Sequence, residues 1–99
     1  MKRQIFNQYV SLVTDLFRME TEDLFKKSKK RERVDARHML YYLCATRPMR
    51  IRYIEEFMKE NGYIITHSTI IHGIKCMEEK IDTDKDYNII VKRIELCVG

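Results

Sequence analysis

The sequence predicts an all-α domain, on three observations. One proline and three glycines leave few breaks in 99 residues. Apolar residues recur three and four apart in one segment after another, which is the spacing of a helix face. No segment alternates apolar and polar side chains as a half-buried strand does. A chain of this length buries roughly 60–68% of its unfolded surface, enough for a core of three to five helices and too little for a deep substrate cavity, and the segments below give five to six helices in all.

The first helix, within residues 1–20, sets Ile5, Tyr9, Leu12 and Leu16 on one side with Val13 and Phe17 beside them. Thr21, followed by Glu22 and Asp23, has the pattern of an N-cap with acids in the first turn and opens a short helix through Leu24 and Phe25. "KKSKKRER" lacks apolar periodicity and is expected to be an exposed connection or frayed end. Asp35 is expected to cap a third helix with Ala36, Met39, Leu40 and Leu43 inside. "TRPM" stops it, because Pro48 pushes the preceding residue out of the α region.

A fourth helix starts near Met49, faces inward through Ile51, Ile54, Phe57 and Met58, and ends at Asn61 and Gly62. Thr66 is the expected N-cap of the fifth, "HSTIIHGIKCMEEKI", with a stripe of Ile70, Ile74, Met77 and Ile81. "DTDKD" turns the chain into a final amphipathic helix over 84–97. Nothing marks a second domain, so residues 1–99 form one unit with a helix-turn-helix core over 35–81.

Charge is uneven. The net charge is +4, yet seven basic residues between Lys26 and Arg37 face only Glu32 and Asp35. Between Glu78 and Asp86 five acids outnumber Lys80 and Lys85. A cationic face for a polyanion follows, with an acidic face turned elsewhere. Three cysteines without a CxxC pair fit reduced thiols and a cytoplasmic protein, and no apolar run is long enough for a membrane.

With Ile70 and Ile74 inward, the opposite face of the fifth helix carries Ser68, His72, Lys75 and Glu79, with Thr69 at its margin. Thr66 and His67 occupy the first turn. Donors, acceptors and a cation there are what a major-groove reader needs, and Arg50 and Arg52 at the start of the fourth helix suit backbone phosphates. The same hydroxyls equally fit a capping cluster, and His67, about 50° from the core stripe, equally fits a half-buried packing position. A zinc site from His38, His67, His72, Cys44 and Cys76 has no paired spacing behind it, and Cys76 with a histidine has no orienting motif. No enzyme is expected, and no cofactor.

"THSTIIHGIKCM" resembles the signature helix in the C-terminal DNA-binding domain of DnaA, the bacterial chromosomal replication initiator. That family's pattern is Asp-His-Thr-Thr, two aliphatics and His, matched here by Thr66, His67, Ser68, Thr69, Ile70, Ile71 and His72. "DARHMLYYLCATRP" resembles the family's Arg-Pro-Arg-Gln segment and the helix after it, Arg37 matching the second arginine. "LFKKSKKRER" stands at the basic loop and "TEDL" at the short helix before it, so the likeness runs from about residue 10 to 95.

The resemblance implies a helix-turn-helix that binds double-stranded DNA. His67, Ser68 and Thr69 would meet bases or phosphates, Arg37 would reach into the major groove, and Lys29 or its neighbours Lys30 and Arg31 would replace a minor-groove arginine. His72 and Lys75 stay in the candidate set on geometry. Thr66 stands where the family has Asp, Ala45 where it has a basic residue, and "KENGYII" where it has a compact Gly-Gly-Arg turn, so an altered target sequence is expected. No GxxxxGK[ST] loop is present, so neither nucleotide binding nor ATP hydrolysis is expected. The expected role is regulation of replication initiation or transcription at initiator-like sites, with replication initiation proteins as further partners. Such a stand-alone domain suits a phage or mobile element. The alternative is a protein-interaction module that uses the acidic face and has little DNA affinity.

Overall fold

A computed structural model describes residues 1–97; positions 98 and 99, the end of the expected domain, lie outside the described residues. The order is α1 (Lys2–Phe17), α2 (Thr21–Leu24), α3 (Arg31–Thr46), α4 (Ile51–Glu60), α5 (His67–Thr83) and α6 (Lys85–Cys97). No strand occurs among the described residues, and no helix there is long and apolar enough to cross a membrane.

Helix α3 is the centre of the fold. It packs on α5 along one side and on α1 along the other, while α6 closes on α5. Its buried residues are Ala36, Arg37, Met39, Leu40, Tyr41, Leu43 and Cys44. The α3–α5 contact is close because position 73 has no side chain. A Cβ there would lie 2.8 Å from the His38 ring and 2.9 Å from the Tyr41 ring.

Three local expectations are corrected. In α1 the inward face is Phe6, Tyr9, Val10 and Val13, and Leu16 is exposed, so the helix is rotated from the stripe through Leu12 and Leu16. Thr14 also turns inward, its hydroxyl donating to the Val10 carbonyl at 2.8 Å. In α2 the cap is the Asp23 carboxylate, which accepts from the Glu20 N–H at 3.2 Å, and Thr21 is the first helical residue. Helix α3 begins at Arg31, ahead of Asp35, because the Ser28 hydroxyl accepts the Lys30 N–H at 3.2 Å and turns the chain there. Asp35 instead holds Lys80 of α5 at 2.7 Å.

Two boundaries follow the expected chemistry. Gly62 has φ +83° and its N–H reaches the Lys59 carbonyl at 2.9 Å, so α4 ends on a residue that tolerates the left-handed region. The Thr66 hydroxyl accepts from the Thr69 N–H at 3.3 Å, which caps α5. Within α5, Ile70 and Met77 are fully buried while Ile74 and Ile81 are only partly so, which moves the centre of the core stripe toward Gly73.

Candidate nucleic-acid interface

The first two turns of α5 stand clear of the core. Thr66, His67, Ser68, Thr69, His72 and Lys75 are all exposed, and Ile70 and Gly73 hold the helix to the interior. The opening N–H groups of α5 have no intrahelical partner and add partial positive charge to this end. The hydroxyls of Thr66 and Thr69 are 3.2 Å apart, so the capping role is present in the structure. An exposed capping hydroxyl keeps one hydrogen-bonding site, donor or acceptor, beyond these two contacts, so capping does not exclude contact with a ligand.

His67 faces α4. Its Nε2 lies 2.9 Å from Glu55 Oε1, and its side chain remains 57% exposed. His72 points along its own helix, with Nε2 3.4 Å from Cys76 Sγ and its ring edge-on to His38 at 6.1 Å. Burial lowers the pKa of His38 below its ordinary value, and the neighbouring His72 adds to that. Ser68 and Lys75 make no side-chain hydrogen bond or ion pair among the described residues.

The connection between α2 and α3 lies alongside this end of α5. Lys27, Ser28 and Lys29 share a cleft of about 350 Å³ with Thr69. Lys29 and Arg31 border a second depression with His38 and Cys76. Lys30 is the exposed N-cap of α3 and Arg31 its first residue. The cationic run and the polar start of α5 are therefore neighbours in space, 40 residues apart in sequence.

Arg37 is not directed outward, which corrects the expectation of a groove-reaching arginine. It is 5% exposed. Nη1 donates to the carbonyls of Leu24 at 3.3 Å and Lys26 at 3.0 Å, and Nη2 to that of Ser28 at 2.6 Å. The guanidinium also sits over the Tyr63 ring at 5.0 Å. One buried side chain thus pins the connection that carries the lysines. The physical reason is the connection itself: it has no regular partner for these carbonyls, and a planar group with five donors can satisfy several at once.

The α4 arginines divide. Arg50 is the exposed N-cap of α4. Arg52 lies against Tyr53, donating to its hydroxyl at 3.0 Å. Its guanidinium lies 4.8 Å from the centre of the Tyr53 ring, the same ring on which Lys2 of α1 packs. Glu55, Tyr41 and Tyr63 had no signal in the sequence, because they depend on which helix faces which; Lys27 was signalled as a member of the basic run.

No group of three or more His, Cys, Asp or Glu side chains is placed to hold a metal among the described residues. Cys44 is buried, Cys76 half-buried and Cys97 exposed, all as free thiols.

Comparison with known proteins finds a similarity to the chromosomal replication initiator protein DnaA of Flavobacterium psychrophilum. The two are 28% identical over an alignment 97 positions long, which covers 94% of this chain and 19% of that protein. The chain therefore spans about a fifth of the length of this relative and resembles a DnaA-like domain. No family model matches, and no solved structure matches significantly.

Proposed function

We propose that this domain binds double-stranded DNA sequence-specifically, with α4 and α5 acting as a helix-turn-helix and α5 as the reading helix. The observation that carries this is the shared rim of Lys27, Lys29 and Thr69, which places a cationic connection against the polar start of an exposed helix. His67, Ser68, Thr69, His72 and Lys75 meet bases or adjacent phosphates, while Lys29, Lys30, Arg31, Arg50 and Arg52 meet the backbone. Thr66 caps the helix and contributes its remaining hydrogen-bonding site. Arg37 acts from beneath by holding the connection in place. The similarity to an initiator protein supports a role in regulating replication initiation or transcription at initiator-like sites. No catalysis is assigned to the domain.

Selection from a randomised duplex library at near-physiological salt, followed by sequencing, tests this. A short enriched motif is expected; an unenriched library would sink the sequence-specific reading.

One observation favours a protein-interaction role on another face. Leu12, Leu16, Ile90 and Ile94 line a groove between α1 and α6, and Leu16, Ile89 and Leu96 are exposed. Failure of the domain to bind DNA, together with capture of a replication protein by this face, would favour that role.

A further inference from the structure

The cleft at the α5 start has a floor as well as a rim. Val34, Arg37, His38, Tyr41 and Tyr63 line it beneath Lys27, Ser28, Lys29 and Thr69. Three features of the floor and rim point to a ligand.

First, Arg37 is a buried cation with no carboxylate partner. Three carbonyls and the face of the Tyr63 ring meet its guanidinium, and no ion pair to it exists among the described residues. No acidic side chain lines the cleft. The nearby acids are engaged, Asp35 by Lys80 and Asp23 by Arg33. A buried charge that lacks a counterion favours an anion beside it.

Second, Tyr41 is 1% exposed, yet its hydroxyl makes no hydrogen bond among the described residues. Among the described residues no fully buried side-chain oxygen is left without a partner, so that hydroxyl keeps a little exposed surface, and Tyr41 is one of the residues that line the cleft. A buried hydroxyl in native structure normally has a partner. The Tyr63 hydroxyl and the His38 imidazole also have no hydrogen-bond partner among the described residues.

Third, about 350 Å³ is much more than an inorganic anion fills and lies at the small end of ligand pockets. Aromatic edges with hydrogen-bonding groups suit a planar heterocycle. Lysines beside the opening of a helix suit a phosphate.

We propose that this cleft binds one nucleotide unit, with its base against Tyr41, Tyr63 and His38 and its phosphate at Lys27, Lys29 and the start of α5. Lys29 and Thr69 belong to both sites, so an occupied cleft competes with duplex DNA; that consequence rests on the DNA-binding role above, whereas the cleft's occupancy does not. The nucleotide unit has two sources, a free nucleoside monophosphate or one residue of an unpaired strand.

The test is an NMR titration of the full chain with dTMP, dAMP, a four-nucleotide single strand and inorganic phosphate, each to concentrations on the order of millimolar. Amide shifts are expected at Lys27, Ser28, Lys29, Tyr41, Tyr63 and Thr69. Tyr41→Phe and Tyr63→Phe keep the rings, and each is expected to weaken nucleotide binding about fivefold, the loss of one hydrogen bond. Both variants are expected to melt as the parent does and to leave duplex binding unchanged. A monophosphate that binds as tightly as the strand makes the free nucleotide the ligand; a strand at least about tenfold tighter makes it the unpaired strand. The proposal is overturned if neither shifts these residues, if inorganic phosphate shifts them as strongly, or if both tyrosine variants bind as the parent does. Duplex binding is measured separately on the same samples. Its absence would refute the DNA-binding role while nucleotide shifts still uphold the cleft.

Discussion

His67 Nε2 and Glu55 Oε1 lie 2.9 Å apart, joining the first residue of α5 to the middle of α4. Both side chains are substantially exposed, so the pair adds about 0–1 kcal/mol to stability. Under the proposed DNA-binding role its larger effect is on recognition. If His67 meets DNA it must leave Glu55, and the carboxylate then stands near phosphates.

Glu55→Gln should therefore tighten duplex binding, about threefold to tenfold at near-physiological salt, by removing a like charge from the interface. His67→Ala should weaken binding to a selected site by about 1–3 kcal/mol and leave non-specific binding little changed. Fluorescence anisotropy on specific and scrambled duplexes measures both. Equal affinity of the parent and the Glu55→Gln protein would remove His67 and Glu55 from the interface.

Arg37→Ala should act on folding. Three carbonyls lose their donor and a buried side chain is removed, so a loss of about 2–4 kcal/mol is expected in urea unfolding. Arg37→Lys should recover little, because an ammonium lacks the planar fork that reaches separate carbonyls. Loosening the connection should also lower affinity for all duplexes alike. A stable Arg37→Ala protein with sequence-selective loss would restore direct base contact by this residue.

Gly73→Ala separates two opposed effects. Alanine favours a helix by about 0.8–1.0 kcal/mol over glycine. Its Cβ, however, would sit 2.8 Å from one ring and 2.9 Å from another in the α3–α5 contact. Overpacking of this kind costs about 1–3 kcal/mol, so a net loss of stability is expected in a thermal melt. A rise in Tm would mean that His38 and Tyr41 move aside freely.

The helix order was legible because apolar spacing, Pro48 and Gly62 are local signals. The start of α5 was legible too, since Thr66 caps within one turn. Which face of α1 turns inward was not, because Leu12, Leu16, Val13 and Phe17 give two overlapping stripes and only packing on α3 chooses between them. Asp35 had the composition of a cap but lies where Lys80 of α5 can reach it. Arg37 misled for a different reason: its outward role was what the family resemblance implied, whereas its burial follows from carbonyls of residues 24 to 28, nine to thirteen positions upstream. The cleft depends on α3, α5 and the connection together, so no local pattern announces it.

His38 gives a pH dependence. Its folded pKa is held below the ordinary 6.5 by burial and by His72. The unfolded chain then binds the proton more readily, so stability falls as pH drops below about 6.5 and continues to fall until the folded pKa is passed. Above 6.5 this contribution is fully present. Urea unfolding at pH 7.5 and at pH 5.5 should show the loss in the parent and a smaller one in His38→Gln. Identical slopes in the two proteins would assign the acid sensitivity elsewhere.

Lys27, Lys29 and Lys30 have no ion pair among the described residues, and Lys26 has only a 3.9 Å contact with Asp23. Replacing all four by alanine should leave the helices intact, because α3 begins after them at Arg31 and the Arg37 clamp uses backbone carbonyls. Duplex affinity should fall for every sequence, and the slope of log affinity against log salt should flatten by about 0.9 for each lysine that meets a phosphate. The selected sequence motif should survive, because the proposed reading residues lie on α5. A variant with an unchanged slope would place the phosphate contacts outside the connection, at Arg50 and Arg52 of α4, and the reading helix would then cross the duplex from that side.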